Sequence, residues 1–148
     1  MPTVLMFLMY VFAIDYAGNS DWVTFDPQKV TYSNKAQWNE NADVLLAQEE
    51  YAGTTFYELK IDDLIQVGYP DGMRLYRVTE IQRYQATMPK SVYSGFIGSD
   101  GVTLSSAALV KKLYVPEKLI LQTCYDNSRG RLFVIAERIE VWNEWKYK

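Results

Sequence analysis

The chain has 148 residues, enough for one domain with its own core and no need of a disulfide or metal staple. A net charge of −3 without any lysine or arginine cluster argues against nucleic-acid binding, which needs a basic face to neutralise phosphates. One cysteine cannot form an internal disulfide, and the complete lack of histidine leaves no His/Cys metal cluster to consider.

In chain order, residues 2–13 come first, an apolar run of about twelve where a membrane-spanning helix needs about twenty. The first basic residue is Lys29, so a secretory signal with a cationic start is not indicated. The run is expected to be a buried first strand, with no firm membrane span. Turn signals then recur at Ala17-Gly18-Asn19-Ser20-Asp21, Asp26-Pro27, Tyr69-Pro70-Asp71-Gly72, Gly98-Ser99-Asp100-Gly101 and Asn127-Ser128-Arg129-Gly130. Strand-like runs lie between them. Residues 44–47 form a short one, and 64–69 with 73–83 flank the Pro-Asp-Gly turn as a hairpin. Residues 119–124 and 132–141 make a second hairpin. Residues 104–114 carry the best helical signal, with Ser105 or Ser106 as the cap and Pro116 just beyond the end. The 12 tyrosines and 4 tryptophans suit sheet faces more than helical bundles. The whole reads as a mostly-β barrel or sandwich with one or two helices, spanning 1–148 as a single domain.

Cys124 ends the first strand of the second hairpin, and Arg131 begins the next after a six-residue interval, 125–130. If the two runs pair antiparallel, both side chains reach one rim. A guanidinium there favours the thiolate, the reactive form of cysteine, and offers donors to a tetrahedral oxyanion. The plain alternative is a small apolar core thiol beside a surface arginine. Ile120 and residues 132–136 need no function, being core-facing by pattern. Asp62-Asp63 and Glu49-Glu50 read as solvated faces, since calcium needs several converging oxygens. No Gly-rich phosphate loop is present, and no cofactor or metal is expected. The aromatic and basic C-terminus, Trp142-Asn143-Glu144-Trp145-Lys146-Tyr147-Lys148, suits docking on a partner or on the barrel itself.

Leu119-Ile120-Leu121-Gln122-Thr123-Cys124, followed by Gly130-Arg131-Leu132-Phe133-Val134-Ile135-Ala136-Glu137, resembles the sortases, whose signature is a Thr-Leu-x-Thr-Cys strand and a later Arg-led strand. Upstream, Asn41-Ala42-Asp43-Val44-Leu45-Leu46-Ala47-Gln48-Glu49 and then Gly53-Thr54-Thr55-Phe56-Tyr57-Glu58-Leu59 resemble the segment in which that family carries its Gly-His pair and a Phe-x-x-Leu. Leu59-Lys60-Ile61-Asp62-Asp63-Leu64-Ile65-Gln66-Val67 is similar to the family's Leu-x-x-Gly-Asp-x-Ile strand entry, and 73–81 to its Tyr-x-Val strand. The order and spacing hold over residues 40–140.

The resemblance implies a closed eight-stranded sortase-type β-barrel with one or two short helices. It also implies an extracellular or cell-surface cysteine transpeptidase that takes a C-terminal sorting-signal segment of a protein as substrate. By carry-over, Cys124 is the nucleophile and Arg131 the oxyanion or positioning residue, with Arg129 a weaker claimant in the loop. Residues 88–116 correspond to the loop that shapes the peptide groove. Three positions depart from the pattern. Gln48-Glu49 stands where the family has Gly-His, Ile120 where it has threonine, and Asp62 where it has glycine. Loss of the imidazole removes acid–base help worth about 10²–10⁴ in rate. Beside a thiolate, Glu49 raises the cysteine's pKa where an imidazolium would lower it. The expectation is a degenerate sortase acting as a binding or structural module that assembles with a partner protein, in a surface structure or virion. The alternative is an active transpeptidase or hydrolase with Glu49 as its acid–base group; the structural alternative for Glu49 is a solvated loop residue.

Overall fold

The computed structural model describes residues 9–15, 23, 25, 27–32, 43–115 and 117–139. The C-terminal aromatic segment and the 17–21 turn lie outside the described residues. The elements in chain order are β1 (Met9–Asp15), β2 (Lys29–Tyr32), β3 (Asp43–Ala47), α1 (Gly53–Phe56), β4 (Leu64–Tyr69), β5 (Gly72–Ala86), β6 (Gly95–Ile97), β7 (Thr103–Ser105), α2 (Ser106–Leu113), β8 (Lys118–Tyr125) and β9 (Gly130–Arg138).

Side chains on a strand alternate between its faces, and here both faces of β8 and β9 are apolar. Leu119, Leu121, Leu132, Val134 and Ala136 point inward and join Val30, Leu45, Ile65, Val67 and Val78 in the barrel core. Ile120, Phe133 and Ile135 point outward into a second cluster with Val44, Tyr84 and Phe96. Burying each such side chain is worth roughly 1.5–3 kcal/mol, so the outer cluster needs its own cover. Leu109 and Leu113 of α2, with Tyr114, supply it. Ser105 is the cap of that helix, its hydroxyl accepting the Ala108 N–H at 3.1 Å. Leu104, the first residue of the expected helical run, lies in β7 instead, and Ser105 both ends that strand and caps the helix.

Among the described residues seven strands close the ring, in the order β4-β1-β2-β3-β8-β9-β5, with β4 and β5 completing it. The architecture is the expected closed, mostly-β barrel with two short helices, but two further strands, β6 and β7, form an outer ribbon on the end of β5. The 15-residue β5 serves both parts, and a register irregularity between Val78 and Glu80 bends it from one to the other. Both expected hairpins are present, β4–β5 and β8–β9. The run at the start of the chain contributes β1, parallel to both β2 and β4. The four-residue α1 plugs the barrel end where β3 stops, its Phe56 packed edge-on against Phe12 with ring centroids 5.4 Å apart.

Candidate thiol site at one rim of the barrel

β3 and β8 run parallel, with Ala47 opposite Thr123, so both end at the same rim. Thr123 is buried and its hydroxyl donates to the Ala47 carbonyl at 2.8 Å, fixing the two strand ends together. The chain then turns into α1 at Gly53, whose Cβ position is already filled. A methyl there would meet the Thr123 hydroxyl and come within 2.6 Å of the Gln48 carbonyl oxygen. Only glycine allows this approach.

One residue beyond Thr123, Cys124 pairs directly with Arg131 across the β8–β9 ladder, so the hairpin brings the cysteine and arginine together. Cys124 is a free, half-buried cysteine. Alternation places it on the outer face of β8, with Ile120 and Gln122. Beyond it, Asp126, Asn127 and Ser128 adopt left-handed backbone conformations with φ of 51°, 53° and 68°. Aspartate and asparagine tolerate that region, whereas serine seldom enters it. The turn is held from several sides. The Ser128 N–H donates to Glu49 Oε2 at 3.1 Å, the Arg129 carbonyl accepts the Ala86 N–H at 2.7 Å, and Arg131 Nη1 donates to the Ser128 carbonyl at 2.7 Å. Arg131 Nη1 also reaches the Gly130 carbonyl at 3.2 Å, and its guanidinium carbon lies 5.5 Å from the centroid of the Phe96 ring. Arg129 is exposed at the loop.

Burial pushes the Cys124 thiol up from its ordinary pKa. The Arg131 charge pulls it down, Glu49 raises it again, and hydrogen bonding from Ser128 and Arg131 draws it back in part. The net direction is upward, which leaves less thiolate at neutral pH than an exposed cysteine has. Glu49 therefore enters as a half-buried carboxylate acting on the thiol, and Glu50 next to it is exposed. Among the described residues no ion pair joins Glu49 to Arg131 within 4.0 Å.

Two site groups carry no sequence signal of their own. Ser128 supplies the backbone N–H for Glu49, and Tyr57, just past α1, donates its hydroxyl to the Cys124 carbonyl. The Phe-x-x-Leu spacing around Tyr57 fixes Phe56 and Leu59 in the core but says nothing of where the hydroxyl between them points. Asp62 does carry a signal. Its φ is +74°, a left-handed position of the kind that favours glycine, which is what the sortase pattern has there.

This barrel, with its rim hairpin, is a sortase-type fold. The sortase C of Clostridium perfringens superposes on it with a TM-score of 0.52 and 19% identity, over 86% of this chain and 62% of that one. Sortase C2 of Group B Streptococcus pilus island 1 does so with a TM-score of 0.51 and 16% identity, over 76% of this chain and 59% of that one. The chain thus spans less than two thirds of the length of either sortase. No family model matches the sequence, and no curated protein matches it. Among the described residues no helix is long and apolar enough to cross a membrane.

Proposed function

We propose that this chain is a degenerate sortase, a cell-surface binding or assembly module that engages an extended peptide or a partner protein at the Cys124 rim with little or no transpeptidation. In this reading Cys124, Arg131 and Glu49 mark the ancestral site, and Glu49 stands where active relatives carry histidine. The observation that carries the reading is a carboxylate held by the turn that follows the thiol. Glu49 raises the pKa of Cys124, and its own Oε2 is taken up by the Ser128 N–H. A carboxylate held in this way pins a loop. The missing imidazole would have protonated the departing amine and deprotonated the incoming one, a contribution of about 10²–10⁴ in rate.

The test incubates the protein with a library of sorting-signal peptides and looks for a thioacyl adduct on Cys124 by mass spectrometry. The expected result is no turnover by the natural sequence and a gain of acylation in Glu49→His. Turnover by the natural sequence that disappears in both Cys124→Ala and Glu49→Gln would overturn the proposal in favour of an active transpeptidase with Glu49 as its acid–base group.

A further inference from the structure

A single hydroxyl touches both segments that carry the site. Tyr57 lies between the barrel plug and the rim, its ring edge-on to Tyr125 with centroids 6.5 Å apart and planes at 86°. The Tyr125 ring in turn covers Gly130, where any Cβ would overlap it. The Tyr57 O–H donates to the Cys124 carbonyl, and the Glu49 carbonyl lies 3.4 Å from the same oxygen. One phenol thus joins the end of β8 to the turn after β3. The ring packs against the barrel core as well as against Tyr125.

We propose that Tyr57 is a positioning residue for the Cys124 thiol, its hydroxyl locking the cysteine backbone against the Glu49 turn so that the sulfur faces Ser128 and Arg131. This rests on Cys124 being the reactive group of the site, and is independent of whether peptide turnover survives. The charged and titratable groups facing the thiol are Arg131 from β9 and Glu49 from the turn after β3. Tyr57 itself is pushed up to about 12 by burial and then by Glu49, so it remains a neutral donor throughout the range in which the thiol titrates. Without the hydroxyl, the ladder to Arg131 still holds β8, but the Cys124 carbonyl loses its tie to the Glu49 turn, and the approach of the sulfur to Ser128 and Arg131 is no longer fixed from that side. The influences that lower the thiol pKa then weaken, while burial and Glu49 remain.

The experiment measures the rate of Cys124 alkylation by iodoacetamide against pH in the full chain, in Tyr57→Phe and in Tyr76→Phe. The last removes a hydroxyl that contacts Tyr69 at 3.4 Å on the opposite rim. Tyr57→Phe should move the midpoint upward and slow alkylation at pH 8 about threefold or more, the effect of half a pKa unit. Tyr76→Phe should leave the midpoint in place. An unchanged or lowered midpoint in Tyr57→Phe, or an equal shift in Tyr76→Phe, overturns the proposal. Failure of Tyr57→Phe to fold overturns it too, since the hydroxyl would then be a general determinant of the fold. Iodoacetamide reads the thiol without any peptide, so a negative result here is separate from a negative result with sorting signals.

Discussion

At the rim where β4 turns into β5, Asp43 meets the Arg74 guanidinium at 3.5 Å, and Arg74 also reaches Asp71 at 3.2 Å and lies 3.9 Å from the centre of the Tyr69 ring. At the opposite rim Glu49 takes a backbone N–H, while Arg131 donates to backbone carbonyls. Each rim has a carboxylate and a guanidinium from facing segments, but only the first joins them. Lys118 and Glu137 repeat the pairing there at 3.5 Å. Opposite charges in contact cancel one another's field on a third group. Kept apart, as at the Cys124 rim, each acts on the thiol separately, one lowering its pKa and the other raising it. One rim is closed electrostatically, and the other holds a group whose proton is contested.

The largest expected break falls on the packing of the Cys124 rim. Gly53→Ala drives a methyl into the Thr123 hydroxyl and the Gln48 carbonyl, and backbone cannot yield as a flexible side-chain end can. A loss of about 3 kcal/mol in chemical denaturation is expected, at the upper end for overpacking. Gly68→Ala on the other side of the barrel meets only the Met73 sulfur at 3.4 Å, an ordinary contact. It should cost under about 0.5 kcal/mol, the usual range for a change that creates no clash. Equal losses would remove the distinction between a tight rim and a tolerant one.

Alkaline pH should come next. Burial pushes Tyr114, in the outer cluster, up to about 12, and its hydroxyl donates to Gln122 at 2.8 Å. Below pH 10 both folded and unfolded chains keep the proton, so the stabilisation is fully present. Above it the unfolded chain ionises first, and stability is lost as pH rises toward 12, by at most about 2.7 kcal/mol from this residue. Tyr57 acts in the same direction and window, with a smaller share because it is more exposed. Denaturation midpoints measured from pH 9 to 11.5 should therefore fall, and Tyr114→Phe should flatten part of that fall.

Exchanging the two arginines for methionine tests the rims against each other. Burial pushes the Asp43 carboxyl up against the pull of Arg74, so removing the cation raises it further. Arg74→Met should cost about 1–2 kcal/mol at pH 7, between the values for exposed and buried pairs and including the lost ring contact. The sign in pH follows from Asp43, which burdens the fold only when ionised. The deficit should shrink as pH falls and the carboxyl takes up its proton. Arg131→Met should instead leave stability nearly unchanged with pH and slow Cys124 alkylation at pH 8, because the group that lowers the thiol pKa is gone.

Much of this arrangement is legible in the sequence where one period dominates. The β8–β9 hairpin, with Cys124 opposite Arg131, follows from two apolar runs and an intervening turn, and the β4–β5 hairpin from Pro70-Asp71-Gly72 between its runs. The strand count is less legible. The four-residue β2 and the three-residue β6 and β7 are too short for alternation to declare them, and the count of eight comes from the sortase resemblance alone, whereas among the described residues seven strands close the barrel and two stand outside it. The four-residue α1 is likewise too short for a 3.6-residue period. The site divides in the same way. Cys124 and Arg131 are neighbours by hairpin logic, whereas the Glu49–Ser128 contact joins residues 79 apart and depends on a left-handed turn that Ser128 does not announce. Tyr57 meets Cys124 across 67 residues by tertiary packing alone.

The smallest effect tests whether strain is confined to the Cys124 rim. Asp62 sits at φ +74° in the turn before β4, where its N–H donates to the Val78 carbonyl at 2.9 Å and its own side chain is solvated. Aspartate tolerates this region better than most residues, so the penalty is below the 1–2 kcal/mol of a typical side chain. Glycine removes it but adds freedom to the unfolded chain, an opposing cost of about 0.4–1 kcal/mol. Asp62→Gly should thus stabilise the fold by no more than about 0.5 kcal/mol, the remainder of those two figures. Ser128→Gly starts from a similar φ of 68° without aspartate's local compensation, and removes a side chain that hydrogen-bonds the thiol. It should stabilise more than Asp62→Gly while raising the alkylation midpoint of Cys124. Equal stabilisation in both would mean that the turn beside Cys124 holds no more strain than an ordinary loop.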